Sequence, residues 1–172
     1  MPDTDTHSRV SRSRWTTLCG LSVAVIAGLA MLSCQGGIPL SPSAAALAGT
    51  PAELTYCAEK INHYRSSVGL PPLQQSDALE AFAAEAAQND GLVHVAHHYF
   101  TRTNGGGTAK AETEILWWRG FAVRAVIQKG LAQMWDAGPP GEHYEIIVGP
   151  YTQIGCGIFV NGSEVTVTQE FR

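Results

Sequence analysis

Between Met134 and Gly157 the chain reads Met-Trp-Asp-Ala-Gly-Pro-Pro-Gly-Glu-His-Tyr-Glu-Ile-Ile-Val-Gly-Pro-Tyr-Thr-Gln-Ile-Gly-Cys-Gly. A tryptophan ends a helical pattern, Gly138-Pro139-Pro140-Gly141 breaks it, His143 opens an aromatic-rich loop, and the glycine-flanked Cys156 begins a strand. Upstream of this stretch, Val123, Val126, Ile127, Leu131, Met134 and Trp135 fall at helical offsets and predict a helix from about Phe121 to Trp135. Downstream, Gln153 to Val160 and Glu164 to Phe171 flank Asn161-Gly162, a pair that supplies the positive φ angles of a tight hairpin. Val165, Val167 and Gln169 are predicted on one face of that hairpin, and Thr166, Thr168 and Glu170 on the other.

Further toward the N-terminus, Thr50-Pro51-Ala52-Glu53 is a capping box with proline at the first helical position. The helix it starts carries Leu54, Cys57, Ala58, Ile61, Tyr64 and Val68 at steps of three and four, one buried stripe that includes Cys57. Gly69 ends it before Pro71-Pro72. Ser76-Asp77 is the predicted cap of a second helix, in which Leu79, Phe82, Ala83, Ala86 and Ala87 repeat the spacing until Asp90-Gly91. Leu92 to Ala111 has no helical period and contains a glycine run, so it is expected to be a loop with one short strand around Val93 to Phe100. Helices come first and a hairpin last, with no β-α-β alternation, which favours an α+β domain with an antiparallel sheet.

The first third of the chain has a different character. Arg9, Arg12 and Arg14 precede an apolar run from Leu18 to Leu32, shorter than the ~18–20 residues of a membrane-spanning helix, so residues 1–33 read as a signal peptide. Met31-Leu32-Ser33-Cys34 resembles a bacterial lipoprotein box, which implies lipidation of Cys34 and a membrane partner through that anchor. Residues 34–49 are rich in Gly, Pro, Ser and Ala and read as a tether, leaving 50–172 as the folded domain. Without the signal the chain is mildly acidic and has no Lys/Arg cluster, which excludes a phosphate-backbone partner such as nucleic acid. Of the four cysteines, Cys57 and Cys156 remain; in an oxidising compartment they read as one disulfide, with two buried free thiols as the alternative.

Several short motifs, in their order and spacing, resemble the CAP superfamily of cysteine-rich secretory, antigen 5 and pathogenesis-related 1 proteins. They are Ile61-Asn62-His63-Tyr64-Arg65 with Gly69-Leu70-Pro71-Pro72-Leu73, the His97-His98 pair, Ala111-Glu112, Trp135, His143-Tyr144, and Ile154-Gly155-Cys156-Gly157. The resemblance implies a three-layer α-β-α sandwich and a cleft where two histidines and two acidic residues gather, often around zinc or another divalent metal. Carried over residue by residue, it assigns His143 to the cleft, Glu112 to the acid of the family's Ala-Glu-Asn signature with Glu114 as fallback, and His98 or, alternatively, His97 to the first histidine. The second family acid, two or three residues beyond the tryptophan, has no counterpart at Ala137-Gly138; Asp136 and Glu142 are the nearest stand-ins.

Neutral imidazoles suit borderline metals, and carboxylates orient the rings or hold a metal-bound water. Two functions are therefore expected in competition. One is a secreted or lipid-anchored binding module for a lipid, glycan, peptide or protein; the other is a metal-dependent hydrolase with His98 and His143 as ligands and Glu112 as catalytic base. No nucleophile elbow, zinc-helix motif or phosphate loop offers a third chemistry. Trp117-Trp118 is predicted to split, with at most one indole in the core. His63 and His94 are expected to face solvent.

Overall fold

A computed structural model describes residues 47–172. The predicted signal peptide, the Cys34 lipidation site and most of the tether lie outside the described residues. The tether's end, Leu47–Ala48, forms a two-residue strand, β1. Helix α1 spans Pro51–Ser67, and its capping box is formed: the Thr50 side chain accepts the Glu53 N–H while the Glu53 carboxylate accepts the Thr50 N–H at 2.8 Å. The short strand β2 (Gln74–Gln75) leads into α2 (Asp77–Val93).

The structure corrects the sequence reading in three places. Helix α2 does not stop at Asp90-Gly91 but runs on to Val93 and ends at His94 in the left-handed region, φ 53°. Gly91 is tolerated there because its missing Cβ lets Phe159 close against the helix; a Cβ would stand 2.7 Å from that ring. The expected strand at Val93 to Phe100 is instead a turn and a six-residue helix, α3 (His98–Thr103), followed by a 3-10 turn at Gly105–Gly107. Six residues are too few for a period to register. Third, the loop opened by His143 is the short helix α5 (Glu142–Ile147), which follows α4 (Val123–Asp136).

Besides the two-residue strands β1 and β2, one long strand had no counterpart in the sequence reading. β3 (Ala111–Arg119) alternates Thr113 and Ile115 with Glu112 and Glu114, and it bulges between Ile115 and Trp118, where Trp117 takes φ 58°. The bulge separates the two indoles: Trp118 packs against the core, while the Trp117 N–H donates to the Asp90 carbonyl at 3.2 Å. The hairpin β4 (Gln153–Asn161) and β5 (Glu164–Phe171) forms as expected, except that Asn161 pairs with Glu164, so the turn is Gly162-Ser163. Only Gly162 of these has positive φ, which matches the glycine-first type of two-residue turn.

The sheet order is β1-β4-β5-β3, antiparallel along this path, with β2 added parallel to β4. Helix α2 covers one face of β4 and β5, and α1 and α4 cover the other, giving the α-β-α sandwich the resemblance implied. Cys57 on α1 and Cys156 on β4 are joined as a disulfide inside the α1–α4 core. Between α1 and α5, Arg65 is 1% exposed and donates to the carbonyls of Pro71, Ile147 and Gly149, tying three segments together with no carboxylate involved. No helix among the described residues is long and apolar enough to cross a membrane.

Candidate functional site

The free edge of the sheet is β3, and it carries the site. Strand alternation and the β3–β5 register put Glu112 opposite Glu170 and Glu114 opposite Thr168, all on the face covered by α2. Asp90, from the last turns of α2, closes the same space. These acids are nearly inaccessible, with Asp90 and Glu170 at 0%, Glu112 at 5% and Glu114 at 7% exposure.

His97 reaches this acidic face because its backbone is left-handed, φ 54°, at the start of α3. Its Nδ1 lies 2.8 Å from Glu112 Oε1 and 3.5 Å from Glu114 Oε2, and the His97 backbone N–H donates to Glu114 Oε2 at 2.6 Å. One ligand atom from each of His97, Glu112 and Glu114 fits within a mutual 4.8 Å. That donor set suits a divalent metal, and the buried Glu112 Oε2, which has no hydrogen-bond partner, leaves a lone pair to offer it.

The structure therefore brings the alternate, His97, to Glu112, and not His98. His97 is the left-handed N-cap of α3 and His98 its first residue, so the two rings leave the chain in different directions. The His98 ring is directed to α2, with Nδ1 2.9 Å from Asn89 Oδ1 and 4.0 Å from Asp90 Oδ1. The adjoining backbone is pinned by Asp90, which accepts the Tyr99 N–H at 2.9 Å.

His143, half-buried on α5, is outside this three-residue group. It lines a neighbouring cavity of about 210 Å³ with Glu114, Trp118, Met134 and Ala137. Ala137 thus stands in the cleft without a carboxylate. Asp136 acts on Tyr64 instead, raising its phenol together with the larger effect of burial. Glu142, the other stand-in, lines a second cavity of about 390 Å³ with His97, Glu112, Phe100 and Ile146. Glu114 and Glu170 are site residues that the sequence reading did not place together; the signal for Glu114 was a second acid two positions after Glu112, whereas Glu170 follows Thr166 and Thr168 on its face and gave none. His63 is exposed as expected, and His94, half-exposed, pairs with Glu164 at 2.9 Å.

Burial governs the charges. It pushes Glu114 up to about 8, helped by the Glu112 charge, and Glu170 up to about 11, helped by its contact with Glu112. Asp90 is raised by burial as well. His97 is raised chiefly by its hydrogen bond to Glu112, whereas His143 is lowered by burial and then by the charge of His97. Acids whose folded values lie above the unfolded one hold protons that the unfolded chain has released, so they weaken the fold as pH rises from about 4.5 through about 8. The His97 contribution, present below its unfolded value of 6.5, is also lost as pH rises through its folded value. His143 works in the opposite sense, disfavouring the fold only on the acid side of 6.5. Metal-free protein is expected to melt at a higher temperature near about pH 5.5 than near about pH 8.5. Equal or inverted melting temperatures in chelator-treated samples would refute this charge assignment.

Comparisons with known proteins agree with the architecture. Residues 58–171, about two thirds of the chain, match the Cysteine-rich secretory protein family, CAP. A search of curated proteins finds no match. Among solved structures, the chain is similar to an outer surface protein from Borrelia burgdorferi, at 16% identity and a TM-score of 0.53, over 74% of this chain and 96% of that one. It is also similar to a cysteine-rich secretory protein from Staphylococcus aureus, at 14% identity and a TM-score of 0.48, over 71% of this chain and 39% of that one. At 16% identity the likeness to the Borrelia protein concerns the fold alone, and the family match adds the lineage. With its disulfide, its sandwich and its His/Glu cleft on the β3 edge, the chain belongs to the cysteine-rich secretory protein (CAP) family.

Proposed function

We propose that this chain is an extracytoplasmic CAP-domain binding module, lipid-anchored through Cys34, whose β3-edge cleft holds a divalent metal and receives a lipid, glycan, peptide or protein ligand. The convergence of His97, Glu112 and Glu114 is the observation that carries the reading. His97 and the two carboxylates would hold the metal, and a bound metal would supply a Lewis-acid centre for a ligand's oxygen. His143 lines the adjoining cavity, and its lowered value keeps the ring neutral and able to accept a hydrogen bond from that ligand. The buried disulfide supports an oxidising compartment, as does the likeness to an outer surface protein.

Zinc titration of the full chain by calorimetry tests the site. Replacing His97 by alanine is expected to weaken zinc binding at least ~10-fold, since an imidazole ligand is removed. Unchanged affinity would sink the metal reading, and His98→Ala serves as the control that leaves affinity in place.

A hydrolase is the second reading, favoured by Glu142 alone. Its exposed carboxylate shares a cavity with His97 and Glu112 and has access to water, as a general base requires. Glu112, the base expected from the sequence, is instead buried and engaged by His97. Turnover of ester or peptide libraries that disappears in Glu142→Gln at unchanged stability would favour hydrolysis; no turnover leaves the binding module.

A further inference from the structure

Among the described residues, the large apolar side chains left exposed are Val68, Leu92, Val93, Val95 and Phe121, at 43% to 56%. A lone exposed aliphatic residue is ordinary on a protein surface, so what counts is where these five sit. Leu92 and Val93 end α2; the next residue, His94, pairs at 2.9 Å with Glu164, which opens β5 beside the Gly162-Ser163 turn, and Val95 follows directly. Phe121 comes to the same turn from β3: the Gly120 N–H donates to the Ser163 carbonyl at 3.3 Å, and the Phe121 ring lies 5.7 Å from that of Trp118. Between the two groups, the half-buried Trp117 meets the His94 ring edge-on at 5.2 Å. Four of the five therefore rim the hairpin-turn end of the sheet. Val68, just past α1, belongs to the opposite end, where Arg65 binds the Pro71 and Gly149 carbonyls and Gln74 pairs with Gln153, the first residue of β4.

The chain enters the domain at the apolar end. β1 pairs Leu47 with Val160, and Asn161, the next residue of β4, is the last before the turn. Leu47 follows Cys34 by thirteen residues, a covalent reach of at most about 45 Å. Two cations stand at the same end. The Lys129 ammonium lies 4.4 Å from the centroid of the Phe121 ring, and the Arg119 side chain, 72% exposed, closes β3. The acid beside them, Glu164, is already shared by Arg119 and His94. Aliphatic tips, aromatic rings and long cationic side chains together are the residue types that settle at a lipid headgroup boundary, apolar parts inward and charges outward.

We propose that the hairpin-turn end is a membrane-facing surface, on which Leu92, Val93, Val95 and Phe121 rest in the headgroup layer of the anionic bilayer that holds the chain through Cys34. The proposal rests on the lipid-anchor reading given above. Four side chains bury too little area to hold a free protein on a membrane. An anchored domain, however, meets the bilayer at the high effective concentration set by the thirteen intervening residues, and a small gain then fixes its orientation. That orientation has a consequence for the cleft. Glu112 pairs with Glu170, six positions along β5 from Glu164, so at ~3.3 Å per residue the cleft stands ~20 Å further from the lipid than the turn does.

The test reconstitutes the full chain, expressed with its signal and Cys34 in place, into vesicles of phosphatidylethanolamine and phosphatidylglycerol in which part of the lipid is brominated near the headgroup. The readout is tryptophan quenching, for which Trp117 and Trp118 are the reporters at this end. The expected result is quenching in the native chain and in Val68→Glu, and its loss in Leu92→Glu/Phe121→Glu, with circular dichroism checking that each variant folds. No quenching in the vesicle-bound native chain, or equal quenching in the bound double variant, overturns the proposal and leaves the anchor standing, as does an equal loss in Val68→Glu. A dimer in detergent solution that the double variant dissociates, with quenching unchanged, assigns this end to a second copy and overturns the membrane assignment. Release of the native chain from vesicles as readily as Cys34→Ala overturns the anchor and this proposal with it.

Discussion

Replacing Gly157 with alanine is expected to prevent the domain from folding. A Cβ at this position would lie 2.0 Å from the Ala83 carbonyl oxygen, 2.1 Å from its carbonyl carbon and 2.4 Å from the Ala84 nitrogen. Those are backbone atoms of α2, so no side chain can rotate away. Gly155 is in the same situation one helical turn earlier, with a Cβ 2.2 Å from the Leu79 carbonyl carbon. Helix α2 lies flat on β4 because both strand residues lack side chains and because Ala83, Ala86 and Ala87 fill its buried face with single methyl groups. Lifting the helix to admit one methyl would part it from Phe159 of β4 and open the polar layer of Glu112, Glu114 and Glu170 to water. Overpacking that side chains can absorb costs ~1–3 kcal/mol. Here a helix axis must move, so the cost exceeds that range and approaches the whole stability of a small domain, ~5–15 kcal/mol. Soluble expression and circular dichroism decide the matter. A Gly157→Ala protein that melts within a few degrees of the native chain would refute the close approach.

The second large effect is expected from the Cys57–Cys156 disulfide. The bond closes a loop with a sequence separation of 99 residues and joins α1 to the central strand β4. In the chain-entropy model a loop of that length restricts the unfolded chain by about 4–5 kcal/mol. Urea unfolding of the Cys57→Ala/Cys156→Ala double variant is expected to show a loss of about that size. Both sulfurs are buried, at 0% and 2% exposure for the two residues, so a reductant should act on the native protein only as fast as the fold opens. A loss below ~1 kcal/mol would mean that the unfolded chain is already constrained without the bond.

Much of this architecture could be read before any coordinates. The capping box at Thr50, the stripe from Leu54 to Val68, the alanine spacing of α2 and the hairpin all depend on contacts within a few residues, and periodicity reports those well. The elements that went unread are the ones whose stability comes from elsewhere. α3 exists because Asp90 accepts the Tyr99 N–H and His97 turns through a left-handed conformation. β3 is a strand with two carboxylates facing inward, a pattern that a hydrophobic alternation test passes over. The candidate site divides along the same line. Glu112 and His143 were legible from their motifs, whereas the choice of His97 over His98 followed from a single backbone φ angle.

The sequence by itself determined the helices with strong caps and periods, the hairpin, the pairing-competent cysteines and the α+β class, because each is encoded in local spacing. Tertiary structure alone decided which histidine meets Glu112, that Glu142 shares a cavity with His97 and Glu112, and that Glu170 stands opposite Glu112 in the buried layer. Those facts depend on strand register between residues nearly sixty positions apart and on how closely α2 settles onto two glycines. Register and close approach are properties of assembled surfaces, and no local pattern in the chain records them.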